Sequence, residues 1–346
     1  MSSPISFRIE ESESVFLDPR KGFETHIERF QVRFDPLTGR TGHFSHVGAI
    51  KQQPLDLEVY KRPEVKGFCP FCPENRATYT PKFPETLVSE GRMERGEAMV
   101  IPNLFPYDVH SSVLIMTDEH VVPLADLDEK RLKDAFSLGI DFLKNVRTVD
   151  PAQPYHLMTW NYMPPSGGGL VHPHQQYFST PMPGNQFMDE LRAAEAFARA
   201  HGGDYWSELV DEEKRRKERF IGETGNSSWL ASFISLGTVG DILAVFPGVF
   251  SIDQCGEEQI QDLVSGLLRL FRYYRQAGVH SFNASWFFGP LGQEHFTSHF
   301  RIIPRTFLNL RDFAPDMSFF QSLLQEPIGV LLPEHLSSEV QPFFQD

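Results

Sequence analysis

The sequence predicts an α+β chain built as two repeats, and three observations lead there. Two long amphipathic patterns, over 126–146 and 260–274, are each followed by a strand-like run, a glycine-rich turn and another strand-like run. The two series are offset by about 125 residues. The last strand of each carries histidine: His172 and His174 in the first, His299 in the second. The duplication is written in element order more than in identity. A chain of 346 residues, 40% hydrophobic, can bury a core of that size.

Taken in order, residues 1–65 are polar and carry the turn Asp35-Pro36-Leu37-Thr38-Gly39-Arg40, which predicts an extended N-terminal arm with a few strands. Residues 66–185 are the expected first repeat, opening on a Pro-, Phe- and Cys-rich knuckle at 66–85. Ser112–Met116 is a short apolar strand. Leu132, Ala135, Phe136, Gly139, Phe142, Leu143 and Val146 recur at helical spacing. Tyr155–Asn161 reads as a strand, Pro164–Gly169 as a loop and Leu170–Ser179 as a strand. Residues 186–225 read as a helical linker, with helices at Phe187–His201 and Tyr205–Phe220; the charge run Asp211–Arg219 in the second is expected to be a solvated face. Residues 226–346 are the expected second repeat. Its helix is marked by Ile260, Leu263, Val264, Leu267, Leu268, Phe271 and Tyr274, and its strands by Trp229–Ser235, Asp241–Phe246, Phe282–Phe288 and Ser298–Ile303.

Charge and composition narrow the function. Asp plus Glu is 46 against 32 Lys plus Arg, a net −14, which argues against nucleic acid as a partner because non-specific binding needs a basic footprint. Thirty-one phenylalanines argue against disorder. The three cysteines, Cys69, Cys72 and Cys255, make no disulfide framework. The polar, acidic start of the sequence is unlike a signal peptide, and no apolar run approaches the roughly 20 residues of a membrane span. The expectation is a cytoplasmic protein without a membrane partner.

The sharpest segment is Gly167-Gly168-Gly169-Leu170-Val171-His172-Pro173-His174-Gln175-Gln176. In an extended strand His172, His174 and Gln176 would line one surface. Proline stiffens the backbone at His172. The glycines let N–H groups approach an anion. A neutral imidazole placed this way can attack phosphorus and form a covalent phosphoramidate, splitting one transfer into two steps. Cys69-Pro70-Phe71-Cys72 is a thiolate pair with the spacing of one arm of a tetrahedral zinc site, or of a redox pair.

The histidine segment resembles the signature of the histidine triad superfamily, in its galactose-1-phosphate uridylyltransferase branch. The resemblance runs over about residues 30–305 and is strongest from 66 to 180. It implies a duplicated histidine-triad-like fold, each repeat an antiparallel sheet packed by helices. It implies that His174 is the nucleophile that becomes nucleotidylated, with Gln176 beside it. Triad hydrolases have a third histidine where Gln176 stands. A carboxamide cannot be a general acid near neutral pH, so Gln176 favours a phosphate leaving group and transfer over hydrolysis.

The resemblance also supplies a structural zinc held by Cys69, Cys72, His120 and His172. In some members a second metal is held by histidines of the second repeat and a glutamate, which Glu190 matches by distance. Arg301 stands where the second of two alternating histidines is common, beyond His295 and His299, and arginine cannot ligate a metal. That argues against a second site and leaves Arg301 and Arg305 as ion-pair partners or phosphate contacts. Asn103 and Phe105 resemble the segment that contacts base and ribose. Asn161, Ser166, Gly167 and Gly168 are implied on the phosphate side. Arg33 and Arg40, flanking the arm's turn, resemble an arm that reaches the partner's site in a homodimer.

The implied function is a nucleotidyltransferase taking a nucleotide-sugar or nucleotide and a phosphorylated small molecule, of UDP-hexose and hexose 1-phosphate type. Two alternatives stay open: a phosphorylase or hydrolase of ADP-glucose, a dinucleoside polyphosphate or a related adenylyl compound, and a non-catalytic, zinc-stabilised nucleotide-binding protein.

Overall fold

In the computed structural model, which describes residues 3–45, 56–308 and 315–345, the two repeats share one sheet. The arm supplies β1 (Arg8–Asp18), β2 (Glu24–Phe34) and β3 (Thr41–Ser45). The first half then gives β4 (Met93–Arg95), β5 (Ala98–Pro102), β6 (His110–Ile115), β7 (Tyr155–Tyr162) and β8 (His174–Thr180). The second half gives β9 (Phe220–Thr224), β10 (Ser227–Ala231), β11 (Ile242–Val245), β12 (Ser281–Phe288) and β13 (His299–Arg305). A short β14 (Ile328–Gly329) follows near the C-terminus and runs parallel to β3, completing a small sheet β1-β2-β3-β14.

The large sheet has the order β4-β5-β6-β8-β7-β12-β13-β11-β10-β9. Its second five strands repeat the first five in reverse, as a local two-fold axis requires. β7 pairs with β12 across the join, with Thr159 opposite Ser285 midway. β8 and β13 are both seven residues long and have the same alternation of buried and half-buried positions. The duplication expected from element order is therefore the architecture, with the two repeats fused into one sheet.

Both long helices, Glu129–Val149 and Glu257–Ala277, have 21 residues and cover one face of the sheet. Their apolar stripes meet Met158, Trp160 and Tyr177 from the first half and Trp229, Phe282 and Trp286 from the second. Close approach needs glycine: a Cβ on Gly139 would fall 1.9 Å from Tyr177, and one on Gly266 would fall 2.0 Å from Trp229.

The other face is covered differently in each half. Over the second lie the helices Asn185–His201 and Tyr205–Arg216, burying Phe187, Leu191, Trp206 and Leu209 against Leu230, Leu243 and Phe296. Over the first, among the described residues, lies the knuckle, where Cys69, Phe71 and Cys72 pack on Met99, Ile101, Val113 and Ile115.

Several expectations need correction. The expected boundary at 226 cuts a hairpin: β9 begins at Phe220 and pairs with β10, so the second repeat starts earlier. The helix ends at Arg216, capped by Lys217 at φ 59°. The charge run is not a solvated face throughout. Glu213 and Arg219 are buried and paired at 2.7 Å, and Arg219 also meets Glu334 at 2.7 Å. The 186–225 segment packs on the sheet as a layer of the fold. The strand expected from Leu170 starts at His174, because Pro173 has no N–H for the ladder. The strand expected over Trp229–Ser235 ends at Ala231.

Candidate active site

Cys69, Cys72, His120 and His172 come together from the knuckle, the loop after β6 and the loop before β8. Their ligand atoms all lie within 4.8 Å of one another. Sγ of Cys69 is 3.6 Å from His172 Nδ1, and Sγ of Cys72 is 3.6 Å from His120 Nδ1 and 3.8 Å from His172 Nδ1. A tetrahedral ion with arms of about 2.0–2.3 Å has edges of roughly 3.3–3.8 Å, so the spacing fits a metal ion. His172 Nε2 donates to the Thr117 carbonyl at 2.8 Å, which leaves Nδ1 with its lone pair toward the group. Burial lowers His172 to about 4, so its imidazole is neutral, as a ligand must be. Burial pushes the Cys69 thiol up to about 11 in the bare chain.

His174 stands at the start of β8, on the face away from the long helices, and is 7% exposed. Its Nδ1 donates to the His172 carbonyl at 2.7 Å. That bond selects the tautomer with the proton on Nδ1 and a free lone pair on Nε2. Burial shifts its pKa downward, and the carbonyl opposes the shift. Phe71 from the knuckle packs against the ring at 5.5 Å. One pair therefore joins the ligand group to the candidate nucleophile: the residue whose Nδ1 faces the two thiols offers its carbonyl to its neighbour. Gln176 lies two residues on, on the same face and opposite Thr159 of β7.

Asn161, at the end of β7, shares that face. Its Oδ1 accepts from Asn283 Nδ2 of β12 at 2.5 Å, and Asn283 Nδ2 also donates to the Ser166 carbonyl at 2.8 Å. Gly168 sits so close that a Cβ there would be 3.4 Å from the Asn161 Cβ, and Gly167 has φ +88°. The Ser166 hydroxyl is buried without a hydrogen-bond partner among the described residues. The structure thus brings His174, Gln176, Asn161, Ser166, Gly167 and Gly168 to one surface.

The other expected contacts separate. Phe105 is 76% exposed, on a turn where Asn103 Oδ1 accepts the Phe105 N–H at 3.0 Å. Arg33 is not available to a substrate: its guanidinium makes a two-pronged pair with Glu334 at 2.9 and 3.0 Å and lies between Phe44 and Phe233. Arg40 bonds Gln186 and meets Asp189 at 3.4 Å. It lines a cleft of about 280 Å³ with Arg301, Gln321 and Gln325. Arg301 is 3.6 Å from the buried Asp241, and Arg305 pairs with Asp316 at 2.7 Å. Both arginines serve ion pairs of the fold.

In the second half His299 Nε2 faces Glu190 Oε2 at 3.4 Å, and Trp206 stacks on its ring at 4.8 Å. Burial would raise the Glu190 carboxyl, but His299 and Arg301 outweigh it and hold it at about 2. Sequence reasoning named Arg305 as an ion-pair partner or phosphate contact, which its pair with Asp316 bears out, but missed Asn283 and Asp316. The signal available was Asn283, an amide beside the large apolar residues of the strand Ser281–Phe288.

No family model matches the chain. A protein of Archaeoglobus fulgidus described as uncharacterized is 29% identical over 318 residues, covering 91% of this chain and 93% of its own length. Among solved structures, a uridylyltransferase aligns over 91% of this chain and 98% of its own, at TM-score 0.66 and 20% identity. The chain has the uridylyltransferase fold. A GalT-like protein of Arabidopsis thaliana shares it, over 90% of this chain and 98% of that one, at TM-score 0.67 and 17% identity. So does an ADP-glucose phosphorylase of the same plant, with ADP-glucose bound, at TM-score 0.67 and 18% identity, over 90% and 98%. Among the described residues no helix is long and apolar enough to cross a membrane.

Proposed function

We propose that the chain is a nucleotidyltransferase working by double displacement through His174. The observation that carries this reading is the 2.7 Å bond from His174 Nδ1 to the His172 carbonyl, which leaves Nε2 as the nucleophilic atom on the sheet face away from the long helices. In the first step the Nε2 lone pair attacks the α-phosphorus of a nucleotide donor. A P–N bond forms, the P–O bond to the leaving phosphate breaks, and the electron pair departs on oxygen. The imidazole becomes a cation, and its Nδ1–H bond to the carbonyl stabilises it. The leaving phosphate needs no proton, which matches Gln176, a residue with N–H groups to offer and no acid. In the second step a phosphate oxygen attacks the same phosphorus, the P–N bond breaks and its pair returns to Nε2. Gln176, Asn161 and the N–H groups of the 166–168 loop would hold the charge on the transferring group.

Cys69, Cys72, His120 and His172 would hold zinc. A closed four-ligand site supplies structural support and leaves no position for substrate. The second step distinguishes a transferase using a sugar 1-phosphate from a phosphorylase using inorganic phosphate, the class represented by the ADP-glucose phosphorylase of the same fold.

The test is covalent labelling with α-labelled UDP-, ADP-, GDP- and dTDP-sugars. Acid-labile label on the wild type that is absent from His174→Gly is the expected result. No label from any donor would refute double displacement. Chasing the labelled protein with inorganic phosphate or a hexose 1-phosphate identifies the acceptor.

A further inference from the structure

The first half carries the candidate nucleophile, yet the hydrogen bonds that orient its surroundings originate in the second. Arg305, on β13, donates through Nε and Nη2 to Asp316 Oδ1 at 2.8 and 2.7 Å. Asp316 Oδ2 in turn accepts the Thr306 N–H at 3.3 Å. The remaining arm of the guanidinium, Nη1, donates to Asn283 at 2.5 Å. A guanidinium has no acceptor, so the Asn283 atom it meets must be Oδ1. The Asn283 amide can then face one way only, with Nδ2 toward Asn161 Oδ1 at 2.5 Å and the Ser166 carbonyl at 2.8 Å. That bond settles the Asn161 amide too. With Oδ1 used as acceptor, its own NH2 is left, without a partner among the described residues, on the sheet face that carries His174.

We propose that Asn283, Arg305 and Asp316 are positioning residues for the transfer centre: they set the Asn161 amide so that it offers N–H groups to the transferring phosphate, and they clamp the Ser166–Gly168 loop beside it. An Asn161 turned the other way would present a carbonyl oxygen to an anion and repel it. Arg305 is 9% exposed and Asp316 5% exposed, so water competes little with this chain of bonds. The device rests on the proposed function, because the group it orients acts on the phosphate that His174 would attack.

The decisive variant is Asn283→Asp. It keeps size and shape and still accepts from Arg305, but a carboxylate cannot donate to Asn161 or to the Ser166 carbonyl. The expected result is a fall of about 10²-fold in the rate of label transfer to His174 at saturating donor, with KM changed less than about threefold. Arg305→Met should fall similarly, and Arg305→Lys, which retains a donor, should recover at least part of the rate. Calorimetric binding of UMP and AMP is measured alongside, in the wild type and in His174→Gly, with and without Asn283→Asp. Label-transfer rates within threefold of wild type in both Asn283→Asp and Arg305→Met would overturn the proposal. If the wild type takes no label but Asn283→Asp weakens nucleotide binding about tenfold or more, the nucleophile is wrong and the positioning device stands. If neither labelling nor binding depends on Asn283, both fail.

Discussion

His174 and His299 open equivalent strands in the two halves, and both are anchored alike. Each uses Nδ1 on a backbone carbonyl two residues earlier, His172 at 2.7 Å and Thr297 at 3.0 Å. They part at Nε2. In His174 that atom is free of the bond that holds Nδ1, on the sheet face shared by Gln176 and Asn161. In His299 it faces Glu190 at 3.4 Å beneath the ring of Trp206. One backbone device thus serves two ends, and what covers the sheet decides which. A small knuckle packs beside the first, whereas two amphipathic helices convert the equivalent position into core. The comparison teaches that a histidine's place in a strand fixes its tautomer, and the layer above it fixes its use.

The strongest way to break this contrast is to remove each imidazole in turn. His174→Gly should lower nucleotide labelling more than about 10³-fold, while His299→Asn should leave it within about tenfold and lower the melting temperature instead. Equal loss in both variants would show that the second half also performs chemistry. Next in size is the metal group. Freshly purified, reduced protein should hold about one equivalent of zinc by elemental analysis, and Cys72→Ser should lose it together with about 10–100-fold in labelling rate. Less than half an equivalent in the wild type would remove zinc from the account.

The Glu190 pair sharpens the other side. Glu190→Gln should cost about 3 kcal/mol in urea unfolding, since it removes one partner of a buried pair, and should change labelling by less than threefold. The carboxyl sits at about 2, below its usual 4.5, so its contribution is complete above about 4.5 and is lost as pH falls toward 2. The variant should therefore lose less stability than the wild type across that interval. The smallest effect is expected at the exposed aromatic turn. Phe105→Ala should weaken nucleotide binding by about 1–2 kcal/mol if the ring stacks on a base, with unfolding unchanged within about 0.5 kcal/mol.

Much of the site was legible because it is local. Two thiols three residues apart, and two histidines around a proline, constrain one another through the backbone, and the structure brings all four metal candidates within reach. Both long helices were legible from their apolar spacing, since each buries one stripe on one sheet face. Arg33 was misread because its partner, Glu334, lies 301 residues further along the chain. Asn283 and the identity of Arg305's partners escaped for a related reason: strand spacing tells which residues share a face, but not which neighbouring strand supplies the bond. The hairpin at Phe220 was hidden by the charged helix end before it, where Arg219 looked solvated and is buried between Glu213 and Glu334.

The strand pair at the centre of the sheet has a wider consequence. Were the halves separate, identical chains meeting at β7 and β12, every substitution would appear on both sides of the axis, and an imidazole could not be opened on one side and sealed on the other. Joined in one chain, Gln176 and Arg301 occupy matching positions in β8 and β13 and need not match. The link also makes the halves inseparable. Cutting between them would expose two eight-residue strand edges, each an invitation to pair with a stranger. Asymmetry of purpose and dependence of each half on the other thus come from one junction.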